Sequence, residues 1–150
     1  MYCIGIIWNK AMEYEDEISL MLSTSGCIIK EEKIDLRYRF DEFVTGIYFD
    51  SNPSHIRSKL KALKTCFSRV VKIVYLDLIA NDYYFSTEKG YFVYKNIEAL
   101  KEKIRWQIGH KIPNYYFDIV FHLTDNQYEY EKTQQFLFDF LESFITEERK

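Results

Sequence analysis

The chain has 150 residues, of which 47% are hydrophobic and 29% are charged, and its formal net charge is −3. This length and apolar content suit one domain, residues 1–150, with a hydrophobic core of its own. A small acidic net charge gives no broad attraction to phosphate backbones or anionic lipid surfaces. We therefore expect neither nucleic acid nor a membrane as a partner.

Targeting and redox signals are weak. Three cysteines at wide spacing form no CxxC pair, which favours reduced thiols over a zinc site or a disulfide framework. No basic segment precedes the first apolar stretch, and no apolar run approaches the roughly 18 residues that a membrane span requires. These features predict a cytoplasmic protein.

The first third of the chain predicts a strand, a helix and a second strand. Residues 2–8 are continuously apolar, as is typical of a buried central strand. Apolar residues recur at helical spacing from Glu13 to Ser25, and Gly26 is placed to end that helix. Residues 27–38 predict the second strand, because apolar and charged residues alternate in its second half.

Two helices are predicted before the third strand. The apolar face of the first contains Phe40, Phe43, Val44 and Ile47. The second has Asn52 at its N-cap position and Pro53 at its first helical position, and its apolar stripe ends at Phe67. Residues 69–78 then form the third predicted strand.

A hairpin, a helix, a strand and a long helix complete the chain. Residues 83–94 predict a hairpin that turns at Thr87–Gly90. Asn96 is predicted to cap a helix that ends near Gly109, and residues 115–121 are the predicted last strand. The final helix has an apolar stripe formed by Phe136, Leu137, Phe140, Leu141, Phe144 and Ile145.

This order of elements predicts an α+β fold. Two βα units that share one antiparallel sheet, with the helices packed on one face, would bury these patterns. We therefore expect a ferredoxin-like antiparallel sheet with helices packed on it.

The segment HLTDN, residues 122–126, has two interpretations. Thr124 and Gln127 have the spacing of a capping box, and Asp125 and Asn126 are equally suitable N-caps for the final helix. In this interpretation, His122 only closes the last strand. In the other, the histidine is a reactive group at the start of a helix.

The second interpretation comes from a resemblance. HLTDN, at the end of a strand and before an amphipathic helix, resembles the His-Gly-Ser-Asp segment of the nucleoside diphosphate kinases, and the order of elements is similar over nearly the whole chain. The resemblance implies that His122 carries a phosphoryl group and that Thr124 and Asp125 correspond to the serine and aspartate. It also implies a nucleotide ligand with Mg²⁺, and a homo-oligomer.

Several positions depart from the family pattern. Leu123 replaces the glycine after the histidine, WNKA replaces a Lys-Pro-Asp-Gly segment after the first strand, and the long nucleotide-clamping loop is reduced to about HKIPN. The hairpin at 83–94 is an insertion. Phosphoryl transfer requires cationic and amide donors. By their positions near predicted strand and helix ends, the candidate cations are Lys10, Arg105, His110 and Lys111.

Residues near the end of the fourth helix have an alternative role as well. Trp106, His110 and Lys111 could bind a phosphosugar or nucleotide by stacking and charge. More often, such residues end a helix, which Gly109 and Pro113 would terminate here. Two aspartates near the end of the third strand, Asp77 and Asp82, are a weak signal for Mg²⁺, and we assign no metal ligands.

Two classes of function remain. The first is a divergent nucleoside diphosphate kinase-like domain that has lost ordinary nucleotide-kinase activity and acts either in binding a nucleotide or phosphosugar or as a divergent transferase through His122. The second is a non-enzymatic bacterial protein-interaction module, immunity- or antitoxin-like, that uses an acidic and aromatic surface. Thirteen tyrosines and twelve phenylalanines support the second class, because aromatic side chains are enriched at protein interfaces.

Overall fold

The structure is a computed structural model that describes residues 1–113 and 119–148, with side chains described to residue 147. It has six strands: β1 Tyr2–Ile7, β2 Gly26–Asp35, β3 Val70–Leu78, β4 Tyr83–Ser86, β5 Tyr91–Tyr94 and β6 Phe121–Leu123. Its α-helices are α1 Glu15–Ser23, α2 Phe40–Ile47, α3 Pro53–Leu63, α4 Lys95–Gly109 and α5 Gln127–Glu148. Short 3₁₀ helices precede α1 and α2.

Four strands form one antiparallel sheet in the order β2-β3-β1-β6. The central strand β1 pairs Ile6 with Ile73 of β3 on one side and with His122 of β6 on the other. Strands β4 and β5 form a separate hairpin. The predicted α+β fold with a ferredoxin-like antiparallel sheet is confirmed.

Helices cover both faces of this sheet, so the expectation that they pack on one face was wrong. Alternate residues of a strand point to opposite faces. In β1, Cys3 and Ile7 pack in a core with α1 and α4, whereas Ile4 and Ile6 pack in a second core with α2, α3 and α5. The continuously apolar sequence of β1 is explained by this double burial.

Local sequence signals placed most elements, and of two predicted N-caps one is confirmed and one requires correction. Asn52 caps α3 as predicted, since its Oδ1 accepts a hydrogen bond of 3.0 Å from the His55 N–H. Asn96 does not cap α4, which begins one residue earlier. Its side chain instead accepts from the Asn81 N–H and donates to the Ile79 carbonyl, which ties the end of β3 to α4.

The described part of the last strand overlaps the end of the predicted strand. Of the predicted strand at 115–121, residues 115–118 lie outside the described residues, and β6 spans Phe121–Leu123. His122 is therefore a strand residue paired with β1, not a residue that follows the strand. In the described ranges, no helix is both long and apolar enough to cross a membrane.

Candidate ligand-binding site

A cavity of about 660 Å³ opens beside β6. The described part of its wall comes from the loop between α2 and α3, the first turns of α3, the β4–β5 turn, and parts of α4 and α5. The wall carries four cationic side chains, Lys59, Lys89, Lys101 and Arg105. His122 lies in the same wall, together with the acidic residues Asp50, Glu88 and Glu129.

His122 is held between the sheet and the helices. Its pairing with Ile6 directs the imidazole to the face that α2, α3 and α5 cover. The ring of Tyr48 stands edge-on to it, with centroids 5.2 Å apart, and the residue is 7% exposed. The ring is thus mostly enclosed while part of the residue still borders the cavity.

One ring nitrogen of His122 faces a carboxyl group. Nε2 is enclosed and lies 3.3 Å from Oε1 of Glu129, without meeting the geometry of a hydrogen bond. Burial lowers the pKa of His122 well below its ordinary value, and the nearby charges of Lys101 and Arg105 lower it further. The imidazole is therefore neutral at pH 7.

Glu129 shows the opposite shift. Burial and the negative charge of Asp125 raise the pKa of the Glu129 carboxyl to about 7. Its backbone N–H donates to Oδ1 of Asn126 over 2.8 Å, so Glu129 occupies the third position of α5. The helix start thereby positions this carboxyl beside His122.

Asp125 lies under the cavity wall and organises two of its cations. Both Lys89 and Lys101 donate to the same carboxylate oxygen, Oδ2, over 3.1 and 2.8 Å. The Asp125 side chain is fully buried. Burial alone would raise its pKa, but the two ammonium groups and Asn126 lower the pKa of Asp125 to about 2. Asp125 is therefore ionised at neutral pH and holds two lysines together.

These contacts make a compact cationic site. Because Lys89 and Lys101 bond one oxygen, their ammonium nitrogens are at most about 6 Å apart. Arg105 donates from Nε to the Phe121 carbonyl over 2.8 Å, and the Lys59 ammonium lies 3.8 Å from the centroid of the Tyr48 ring. Cations held in this way can bind a phosphate dianion.

Asn126, one of the alternative caps, starts the final helix, and Thr124 does not. The Thr124 hydroxyl accepts from the Ile4 N–H over 2.9 Å, and the Thr124 N–H donates to the Ile4 carbonyl over 3.0 Å. Thr124 thus extends the pairing with β1. Neither Thr124 nor Asp125 is among the residues that line the cavity, and both are fully buried.

Three other predicted ligand residues lie outside the cavity. Lys10 donates to the Thr65 hydroxyl over 2.7 Å, and Lys111 pairs with Glu17 over 2.6 Å. Nδ1 of His110 lies 2.6 Å from the Trp106 carbonyl, within the same helix end. These contacts correspond to the helix-end interpretation. His122 and Arg105 are the two predicted residues that the cavity brings together.

The wall residues that the sequence analysis missed include Lys59, Lys89, Lys101 and Glu129. A signal existed for Lys101, because it is a cation one turn before Arg105 at the edge of the apolar stripe of α4. The capping pattern Asn126 to Glu129 would have identified Glu129. Nothing in the local sequence points to Lys59 or Lys89, which reach the site through tertiary contacts.

The fold is that of an α+β protein of ferredoxin-like topology, and the cavity lies at the edge of its sheet. A solved structure with this topology is the nucleoside diphosphate kinase of Aquifex aeolicus in an orthorhombic C222 crystal form, with a TM-score of 0.56 and 10% sequence identity. The match covers 91% of this chain and 93% of that chain. At this identity, the likeness shows the fold alone.

Sequence comparisons add no family. No family model matches the chain, and no curated protein matches it. In the parts of the chain that the structure describes, no group of three or more His, Cys, Asp and Glu side chains is arranged to hold a metal ion. Asp77 pairs with the N-terminal amino group over 3.2 Å.

Proposed function

We propose that the cavity binds a phosphorylated small molecule, a nucleotide or phosphosugar, and that His122 accepts a phosphoryl group from it. The observation that carries this proposal is a neutral imidazole in one wall with Lys59, Lys89, Lys101 and Arg105. A volume of about 660 Å³ lies in the range of small-molecule sites. The similarity to a nucleoside diphosphate kinase structure supports the same class of ligand.

The ring nitrogen available for transfer is Nδ1, because Nε2 is enclosed against Glu129. In the required tautomer the proton is on Nε2, and the Nδ1 lone pair attacks phosphorus. The bond between phosphorus and the leaving oxygen breaks, and that oxygen takes the electron pair. The ring becomes a phosphorylated imidazolium, whose positive charge favours ionisation of the Glu129 carboxyl; the proton that the carboxyl releases goes to solvent.

The lysine pair would bind the oxygens of the transferred group. Each ammonium has three N–H donors, so Lys89 and Lys101 keep donors for a ligand while Asp125 holds them. Asp50 and Glu88 reduce the net positive charge of the wall. We therefore expect moderate affinity that falls steeply with ionic strength, since the attraction is largely electrostatic.

The test follows acid-labile label on the protein after incubation with γ-labelled ATP. We expect label on the wild type and on His110→Ala, which changes an exposed histidine outside the cavity, and none on His122→Ala. Binding is measured separately from the thermal shift with ADP and with pyrophosphate, where Lys101→Met should remove most of the shift. A shift without label would remove the transfer step, and the absence of both would overturn the proposal.

A further inference from the structure

The cavity carries cations in its interior and carboxylates at its mouth. The Lys101 side chain is only 12% exposed, and both it and Lys89 donate to the buried Asp125 carboxylate. Asp50 and Glu88 also line the cavity, but both residues are exposed. Asp50 follows α2 and Glu88 lies in the β4–β5 turn, so they belong to different segments of the wall. We call Asp50 and Glu88 the rim carboxylates.

The rim carboxylates are free to contact a ligand. Within the part of the chain that the structure describes, neither accepts a hydrogen bond or forms an ion pair. The lysine next to Glu88 extends inward, where Lys89 donates to Asp125. Carboxylate oxygens only accept hydrogen bonds, and their negative charge repels a further phosphate and attracts a cation. The mouth of the cavity therefore favours a ligand group that is positively charged.

Two aromatic rings lie near the rim carboxylates. Phe49, the neighbour of Asp50, and Tyr91 both line the cavity, and the ring of Tyr128 contacts both, with centroid distances of 6.1 and 5.8 Å. Burial raises the pKa of Tyr91, and the negative charges of Glu129 and Asp50 raise it further, so Asp50 lies close enough to Tyr91 to act on it. Aromatic faces attract ammonium groups, as carboxylates do.

We propose that the ligand carries an ammonium group as well as its phosphate, with the phosphate on Lys89 and Lys101 and the ammonium at the rim carboxylates. This inference rests on the proposed function, because the same cavity must bind the phosphate. It narrows the ligand to a zwitterionic phosphomonoester, a chemistry that amino sugar phosphates and phosphorylated amino alcohols share and that ordinary nucleotides lack. ATP can still donate its terminal phosphoryl group, which needs only the interior cations.

Calorimetric titration of the full chain at pH 7 and low ionic strength, with two matched ligand pairs, tests this. Glucosamine 6-phosphate and glucose 6-phosphate differ in one amino group, and so do phosphoethanolamine and ethyl phosphate. If only the interior cations bound the ligand, the amino compounds would bind more weakly, because the cations repel an ammonium group. We expect instead that the amino member of at least one pair binds roughly fivefold more tightly. The pair that shows this preference distinguishes an amino sugar from an amino alcohol.

The double variant Asp50→Asn/Glu88→Gln should lose this preference, and each single variant should lose part of it. The double variant should bind pyrophosphate at least as tightly as the wild type, which also shows that the cavity is intact. Asp139→Asn, which removes an exposed carboxylate of α5 outside the cavity, should keep the preference.

Two results would overturn this inference and leave the proposed function in place: a wild type that binds pyrophosphate but prefers neither amino compound, or a preference that the double variant keeps. A wild type that does not bind pyrophosphate would overturn the proposed ligand site and this inference together.

Discussion

Oε1 of Glu129 lies 3.3 Å from Nε2 of His122, and burial shifts the pKa values of the two groups in opposite directions. The carboxyl pKa rises to about 7 and that of the imidazole falls well below its usual value. Both shifts favour the uncharged forms, as expected for groups enclosed in a poorly solvated site.

Replacing Glu129 with Gln should make the stability of the protein, compared with that of the wild type, increase as the pH rises. The folded-state pKa of about 7 exceeds the ordinary value of 4.5, so the stabilising contribution of the protonated carboxyl is complete below pH 4.5 and is lost as the pH rises through 7. Glutamine does not titrate. We expect the free energy of unfolding of the variant, relative to that of the wild type, to rise by about 2 kcal/mol between pH 5 and pH 8. Urea unfolding of both proteins at the two pH values measures this difference.

Glu131→Gln is the matched control, because it changes an exposed carboxylate two residues further along α5. Its difference from the wild type should stay the same at the two pH values. An equal pH dependence in Glu129→Gln and Glu131→Gln would show that Glu129 is not buried in the uncharged form.

The imidazole of His122 should stay neutral well into the acidic range. Its pKa is depressed in the fold, so the unfolded chain binds a proton near pH 6.5 that the folded chain does not. The stability contribution of His122 is therefore present above that pH and declines as the pH falls below it. NMR titration in the Glu129→Gln background, where no carboxyl titrates beside the ring, should show constant His122 ring resonances from pH 8 to pH 6, with assignment by their loss when His122→Gln is added. A midpoint at or above 6.5 would contradict the depressed pKa.

Asp125→Asn should destabilise the fold by roughly 3 kcal/mol, because it leaves two ammonium groups beside one another without their carboxylate. The pKa of about 2 lies below the ordinary 3.8, so the contribution is present above pH 3.8 and is lost as the pH falls through 2. Urea unfolding at pH 7 measures the loss. Adding Lys101→Met should restore part of it, whereas Asp139→Asn, at an exposed position of α5, should change little.

The sequence patterns predicted the sheet and most helices because these depend on local spacing. The apolar run of β1 and the stripes of α2 and α3 each identify an element from a short window. The single-face arrangement was wrong because it requires knowing which helix packs on which side. A run that is apolar at every position, as in β1, indicates burial on both faces.

The site was less accessible to prediction, since its residues come from distant segments. Lys59 belongs to α3 and Lys89 to the hairpin turn, and only the tertiary fold brings them within one cavity with His122. Lys10 and Lys111 were chosen because they lie near the ends of predicted strands and helices. In the structure, both contact other polar side chains outside the cavity. A position near the end of a helix or strand does not specify whether the side chain lies at the same end of the sheet as His122.

Substitutions of Thr124 distinguish a structural role of this residue from a ligand-binding role. Its hydroxyl is the acceptor for the buried Ile4 N–H at 2.9 Å. Thr124→Val has nearly the same shape but no acceptor, so the N–H loses its partner, and the protein should lose about 1–3 kcal/mol of stability in urea unfolding. Thr124→Ser keeps the oxygen and should lose less.

Pyrophosphate binding, measured well below the melting temperature of each variant, should be the same in Thr124→Val, Thr124→Ser and the wild type, because the Thr124 side chain is fully buried and does not line the cavity. The opposite pattern, in which Thr124→Val keeps its stability and loses the ligand, would assign the hydroxyl to the ligand site, as the resemblance to the kinase segment implies. The structural role predicts a loss of stability without a loss of binding, and the ligand-binding role predicts the reverse. The two Thr124 variants therefore decide between the two roles.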